Sequence, residues 1–466
     1  MIYLEQEIAE KWSDVEFIIL NLTEKIYSSN RIKLINSGKQ MGISESINKA
    51  VSSCSGEYIL ITNEGIIDIR CLNELLNRSI KYKLLSESFY IKKTLVNDTS
   101  VYLSKKDWLE RIGGFDGQFF KDQYKDNNEL DFIVNSLNYK IQLLDQAGVM
   151  FNAHLEQMRC LKKSANIVYE CQINCERFVL RLIEQSPEFV HFVEGEINWI
   201  DYLADNGIKV LKAIPSLHGD YVAVIKDKSS CFLASCFIMS NGHHVHPENP
   251  HEWNDSLFEK WGQNMGKMHA LSKNYIIKDL STSRPNWNYG PIFNPDLDLG
   301  TGEDKVLKIW RNLLNELDSL PKDRDSYGLV HNDLHQNNIL LDGPEIVIID
   351  FDDSRFNWFA CDIAISIYDA TCTFKSEQYD FQRNFIRNFL SGYIKENDID
   401  SFYMSLMPKF LKFREIYVYL FYLTNWNLEA LDLWQIEVIK TLKSRIQNEV
   451  PCVDFDINDM LNDLSG

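Results

Sequence analysis

A chain of 466 residues exceeds one ordinary hydrophobic core, so two to four structural units are expected. Apolar residues make up 45% and charged residues 25%, which excludes a disordered chain, and a net charge of −19 excludes the basic footprint that non-specific nucleic-acid binding needs. The first 150 residues hold 21 of the 67 acidic and 18 of the 48 basic side chains, so nearly all the excess lies beyond them, as a field that favours cationic ligands or as plain solubility. The opening MIYLEQEIAEKW lacks a basic segment leading into an apolar one, so no secretory signal is expected. Phe410 to Trp426, the most apolar later stretch, is interrupted by Lys412, Arg414 and Glu415, so no membrane insertion is expected. Ten scattered cysteines without a CxxC pair fit reduced thiols and a cytoplasmic location.

In chain order, short apolar strands at Val15 to Leu20 and Tyr58 to Thr62 flank a helical segment in which Ile43, Ile47, Ala50, Val51 and Cys54 share one face. That is an α/β pattern. The segments Asn36-Ser37-Gly38 through Gly56-Glu57-Tyr58-Ile59, and Ile112-Gly113-Gly114-Phe115-Asp116 with Tyr139-Lys140-Ile141, resemble family 2 glycosyltransferases of the A-type nucleotide-sugar fold. The resemblance implies a domain over residues 1–150, and its departures imply an inactive one. The family's metal-binding D-x-D aligns with Thr62-Asn63-Glu64-Gly65, and amide and glycine cannot replace charged ligands. The later E-D-x-D reads Asn128-Glu129-Leu130-Asp131, so a carboxylate base could survive as Glu129. An unusual transferase using Glu64 and Glu129 is the alternative. Self-association is a further role open to this domain.

From Asn166 the texture changes to strand-like pieces at Ile167 to Ile173, Phe178 to Leu182, Tyr221 to Ile225 and Phe232 to Ile238, with a helix over Glu194 to Ala204. After Trp253 the chain is mostly helical, broken by Leu329 to Asp353. A small α+β lobe over 155–240 and a large helical lobe over 241–466 are expected, with a ligand cleft between them.

The break carries the chemistry. Val330 to Leu340 reads V-H-N-D-L-H-Q-N-N-I-L, and Ile346 to Asp353 reads I-V-I-I-D-F-D-D. Phosphoryl transfer needs an aligned hydroxyl, a divalent ion bridging the phosphates and charge stabilisation. An H-x-D-x-x-x-x-N loop supplies Asp333 and Asn338 on opposite sides of a turn, and Asp350 arrives on the next strand as an anionic metal ligand.

Together these residues resemble the aminoglycoside phosphotransferase and choline kinase superfamily, whose loop reads H-G-D-x-H-x-x-N before a metal-binding I-D-F-D-D. Ser326 to Leu329 and Trp358 to Ala364 extend the likeness. Asn332 replaces the family's glycine, at a position that carries no chemistry. The resemblance implies a two-lobed, protein-kinase-like fold in which Asp333 orients or deprotonates the acceptor hydroxyl and Asn338 and Asp350 bind Mg²⁺. It makes His331 a structural histidine, has Asp362 brace the loop, and leaves His335 able to approach the phosphates. Arg181 stands where protein kinases carry their phosphate-contacting lysine, with Glu196 as its helix partner and Glu194 as the fallback; both Arg181 and Glu196 are expected to serve nucleotide binding. Ala234 to Met239 is the expected link between lobes.

The implied activity is ATP- or GTP-dependent O-phosphorylation of a small, cationic, hydroxylated molecule: aminoglycoside-like, an amino alcohol or a hydroxyamino acid. The alternatives are a kinase supplying a phosphorylated building block for surface glycans, a bifunctional kinase-glycosyltransferase, and a non-catalytic scaffold.

Overall fold

The computed structural model describes residues 17–21, 32–36, 43–54, 58–62, 88–91, 101–115 and most of 129–460, apart from short gaps at 164–165, 227–230, 278, 301, 373–378, 429–430, 454–455 and 458–459. Of the positions singled out in the sequence, Val15, Ser37, Gly38, Gly56, Glu57, Asn63, Glu64, Gly65, Asp116, Asn128 and Ala165 lie outside the described residues. The chain divides into two compact units. One holds Met1–Glu184 with Ser216–Gly219 and Ile225–Ala234, and the other holds Gln185–Pro215, Asp220–Val224 and Ser235–Gly466.

The first unit opens with parallel strands β1 (Phe17–Asn21) and β2 (Ile32–Asn36), then helix α1 (Ile43–Ser53). Strands β3 (Tyr58–Thr62), β4 (Ser88–Ile91) and β5 (Val101–Lys105) pair antiparallel in the order β3-β5-β4. Helices α2 (Lys106–Arg111) and α3 (Glu129–Phe151) follow. The apolar face of α1 packs as its spacing requires: Ile47 and Val51 join Trp108, Leu109, Ile112, Phe115 and Leu137 in one core. The I-G-G-F segment has a local reason for its glycine. Gly114 sits at φ +63°, where a Cβ would lie 2.2 Å from Asn48 Oδ1. That close approach lets Asn48 donate to Phe115 O at 2.7 Å and accept from Phe115 N at 2.8 Å. Tyr139 to Ile141 lie inside α3, and Glu129 opens it.

Further along this unit, β6 (Arg159–Lys163), β7 (Asn166–Ile173) and β8 (Glu176–Glu184) form an antiparallel meander. Asn174 at φ +52° and Cys175 at φ +67° make the two-residue β7–β8 turn, the left-handed pair that matches strand twist. With β10 (Ala223–Lys226) and β11 (Cys231–Ile238) the strand order is β10-β11-β8-β7-β6. Tyr169 on β7 donates to Ile112 O at 2.9 Å, joining the sheet to the end of α2, and Leu217 N donates to Met150 O on α3 at 2.8 Å.

The second unit starts with α4 (Val190–Asp205) and β9 (Ala213–Ile214), which pairs antiparallel with the end of β11, Cys236 opposite Ile214. β11 covers the strand expected at Phe232 to Ile238, and its run of buried residues is what a covered strand requires. Next come β12 (His243–His244), α5 (Asp255–Ser272) and α6 (Asp304–Asp318). Strands β13 (Tyr327–Val330), β14 (Ile339–Asp342), β15 (Glu345–Ile348) and β16 (Arg355–Trp358) fill the break in the helical region. The chain then continues as α7 (Phe359–Thr371), α8 (Tyr379–Tyr393), α9 (Ser401–Ser405), α10 (Met407–Asn425) and α11 (Leu433–Gln447). On α6, Val306, Leu307, Trp310, Leu313 and Leu317 form one buried stripe, whereas α7 is buried on every side, as a central helix must be. Helices α5 and α8 touch backbone to backbone: a Cβ on Gly262 would lie 1.8 Å from Phe389 O, and one on Gly392 1.8 Å from Glu259 O. No helix among the described residues is long and apolar enough to cross a membrane.

Candidate active site

All of Asp333, Asn338 and Asp350 fall in the second unit, in the connections around one short hairpin. β14 and β15 form that hairpin, and β13 pairs with β16 on either side of it in sequence, so Val330 to Leu340 leaves one strand pair and enters the other. Ile349 N donates to Asn338 O at 3.0 Å, extending the β14–β15 ladder to bring Asn338 alongside the residue preceding Asp350. Asn338 is buried, and its Nδ2 donates to Asp333 O at 2.9 Å, which leaves Oδ1 as its ligand-capable atom. Asp350 is held at φ +67°, a left-handed conformation that a non-glycine residue adopts where the surroundings enforce it. Amide oxygen and carboxylate form an all-oxygen donor set, the chemistry a hard divalent cation prefers.

Asn332 also stands at φ +67°, which explains the exchange of glycine for this residue: asparagine tolerates the left-handed region better than other side chains. Its Oδ1 accepts from Asn357 Nδ2 at 2.9 Å. The Asn332 N–H donates to Asp362 Oδ1 at 2.7 Å. Asp362 Oδ2 in turn lies 3.0 Å from His269 Nε2, and His269 Nδ1 lies 2.8 Å from the Tyr393 hydroxyl, which accepts from Asn397 Nδ2. His269 is fully buried, and burial lowers its pKa against the pull of Asp362. An uncharged ring that donates through Nε2 and accepts through Nδ1 satisfies both neighbours. His331 is likewise buried, with Nε2 3.0 Å from Ile349 O and Nδ1 accepting the Asp333 amide at 3.3 Å.

The sequence reading missed the largest electrostatic feature of the site. Arg414 on α10 donates through Nη2 to Asp333 Oδ1 at 2.6 Å and to Asp369 Oδ2 at 2.6 Å, and through Nε to Asp369 Oδ2 at 3.0 Å. On the other side, His335 Nε2 lies 3.4 Å from Asp333 Oδ2. Burial alone would raise the Asp333 carboxyl, but the Arg414 charge and the His335 contact overcome it and hold the group below the ordinary carboxylate range. For Asp369 burial prevails over Arg414 and the pKa rises. Burial opposes protonation of His335, yet Asp333 draws its pKa upward. Asp333 is thus ionised at neutral pH and a weak base, suited to orienting a hydroxyl.

One stripe of α7 supports this loop. Asp362 holds the Asn332 amide, Ser366 Oγ donates to Leu334 O at 2.6 Å, and Asp369 holds Arg414. The signal was present: three polar residues at positions i, i+4 and i+7 of an otherwise apolar helix face one side. A second buried arginine, Arg284, donates through Nε to Ser354 O at 2.7 Å and through Nη1 to Phe192 O at 2.7 Å, and through Nη2 to Asp352 O, tying the segment after Asp350 to α4. Beside the loop lies a small pocket lined by Trp287, Phe293, Asn332, Arg355, Ile365, Phe413, Arg414 and Tyr417. Arg181 is buried on β8 in the first unit, and Glu196 is buried on α4 in the second, where its charge favours the ionised Arg284.

Residues 162–400 match the phosphotransferase enzyme family. Amicoumacin kinase of Bacillus subtilis (strain 168) is 30% identical over 330 residues, which are 70% of this chain and 97% of that protein. The chain belongs to the phosphotransferase enzyme family. This phosphotransferase is similar in structure to an amicoumacin kinase in complex with AMP-PNP, Ca²⁺ and Ami, with a TM-score of 0.64 and 28% identity, covering 68% of this chain and 96% of the other. It also shares its fold with a microcompartment-associated aminopropanol kinase, with a TM-score of 0.53 and 20% identity over 66% of this chain and 95% of that one. The phosphotransferase is a small-molecule kinase acting on a hydroxyl group, with a two-lobed, kinase-like fold of sheet and helices.

Proposed function

We propose that this kinase transfers the γ-phosphoryl of ATP or GTP to a hydroxyl of an amine-bearing natural product, with amicoumacin as the first acceptor to test. The observation that carries the reading is the cluster in which Arg414 joins the Asp333 and Asp369 carboxylates, acidic groups that suit an amine and a hydroxyl. Trp287, Phe293, Phe413 and Tyr417 add aromatic surface beside it. The 97% coverage of the Bacillus subtilis enzyme supports the same acceptor class. In this reading Asp333 aligns the attacking hydroxyl and accepts its proton late. Asn338 and Asp350 would hold Mg²⁺, which when bound supplies charge neutralisation on the phosphates. Arg181 and Glu196 are assigned to the nucleotide by sequence position, within a small lobe over 155–240 and a large lobe over 241–466, in a cytoplasmic enzyme.

Nucleotide consumption by purified protein, measured against amicoumacin, aminoglycosides, amino alcohols, hydroxyamino acids and sugars, tests this directly. Turnover with amicoumacin or another amine-bearing alcohol, with an acceptor KM that rises with salt, is expected. Turnover only with neutral sugars would reject the acceptor class.

For residues 1–150 we propose a glycosyltransferase-like domain without transfer activity. The support is the sequence at 62–65, where amide and glycine stand in for metal-binding carboxylates. Metal-stimulated release of sugar from a nucleotide sugar by the full chain would reject it.

A further inference from the structure

The segment from β12 toward α5 reads His243-His244-Val245-His246-Pro247-Glu248-Asn249-Pro250-His251-Glu252, and none of these residues is among those assigned above to phosphoryl transfer. It folds so that two imidazoles converge on one carboxylate. His243 Nε2 lies 3.3 Å from Glu252 Oε1, and His246 Nδ1 lies 3.0 Å from Glu252 Oε2. One donor atom from each residue falls within 4.8 Å of the other two. With metal–ligand bonds of about 2.0–2.1 Å, neighbouring donors of a tetrahedral ion stand roughly 3.3 Å apart, so a rotation of the exposed imidazoles by about an ångström closes the cluster to one face of such a site.

The chain fixes these side chains. His243 is paired across the sheet with Leu341 on β14. Glu252 also accepts from the His246 amide at 2.9 Å and Asn249 Nδ2 at 2.9 Å, which set its orientation. Trp253, the next residue, packs edge-on against Phe258 and Trp261 of α5. The Glu252 side chain is 17% exposed and the imidazoles 56% and 60%, so an ion can enter from solution and water can complete its shell.

We propose that His243, His246 and Glu252 form a second metal site, for a borderline divalent ion of the Zn²⁺ class. Imidazole nitrogen selects such ions over Mg²⁺ and Ca²⁺, which prefer all-oxygen shells. The ion pins β12, and through it the edge of the strand that follows Asn338.

The test is a Zn²⁺ titration by calorimetry on tag-free, chelator-treated full-length protein, with Co²⁺ absorption as a readout of coordination. Wild type and Asp350→Ala each bind one equivalent here and give the intense visible bands of a four-coordinate ion. His246→Ala and Glu252→Gln weaken binding at least about tenfold and lose the bands. Zn²⁺ should raise the melting temperature of wild type and not of these variants. Equal Zn²⁺ affinity in wild type and both variants, or no stoichiometric binding by wild type, overturns the proposal and leaves the triad as a hydrogen-bonded clasp. Loss of binding in Asp350→Ala alone would assign the ion to the phosphoryl-transfer site and overturn it equally.

Discussion

Arg414, 81 residues beyond the loop in sequence, donates to Asp333 at 2.6 Å and shares the same nitrogen with Asp369. It is a positioning residue: it fixes the direction in which the Asp333 carboxylate points. Removing it leaves the buried Asp369 and the quarter-exposed Asp333 without their cation, a loss of about 3 kcal/mol, at the low end for a buried pair because water reaches Asp333. Arg414→Met is expected to show that loss in urea denaturation and a fall in kcat larger than any change in nucleotide KM. Arg414→Lys keeps the charge without the planar fork and should fall between. A Met variant within about 1 kcal/mol of wild type would mean the cluster is solvated.

On the proposed role of Asp333, Asp333→Asn should leave nucleotide affinity within a few-fold and lower kcat by about 10²–10⁴-fold, the loss expected when a hydroxyl is deprived of its acceptor and its alignment. Steady-state kinetics on the true acceptor decide it. A variant retaining half the wild-type rate would move the base elsewhere.

Asp350→Ala removes the one anionic member of the Asn338 and Asp350 pair. Calorimetry with ATP, with and without Mg²⁺, should show the metal-dependent part of binding abolished together with turnover. Unchanged metal dependence would place the ion on other oxygens.

At Asn332 the backbone and the side chain contribute separately. Asn332→Gly relieves the cost of φ +67° and loses the bond to Asn357, so its stability should stay within about 1 kcal/mol of wild type. Asn332→Ala loses the bond and keeps an unfavourable backbone, for a deficit of about 2 kcal/mol in thermal or urea denaturation. Equal stabilities for the two variants would show that φ at this position relaxes.

The His335–Asp333 contact makes stability depend on pH in a definite direction. The folded-state pKa of His335 lies above its ordinary 6.5, so binding its proton stabilises the native state. That contribution is complete below about pH 6.5 and is lost as pH rises through the folded value. The stability gap between wild type and His335→Gln should be on the order of 1 kcal/mol near pH 6 and close by pH 9, measured by denaturation at each pH. A gap that widens toward pH 9 would reverse the assignment.

Local pattern carried much of this. The face of α1, the strands β3, β7, β8 and β11 and the two oxygen-rich segments around Asp333 and Asp350 are legible because each depends on neighbours within a few residues. Arg414 is not legible in that way. In sequence it is a charge interrupting an apolar helix, and its meaning comes from Asp333 and Asp369, contacts that local periodicity cannot encode. Arg284 escapes for the same reason, since its partners are backbone carbonyls on two distant segments. The His243, His246 and Glu252 cluster depends on a turn that folds ten residues back on themselves, which spacing alone does not give.

The run from Tyr393 through His269 and Asp362 to the Asn332 amide has a polarity: each hydrogen bond fixes the direction of the next. Replacing tyrosine by phenylalanine at 393 would leave His269 Nδ1 without its donor, and replacing His269 would strand Asp362. None of the three can change alone without reversing or breaking the series. Among related chains, the imprint to seek at 269, 362 and 393 is therefore correlated exchange: substitutions arriving as a set, with compensating donors and acceptors, on three different helices.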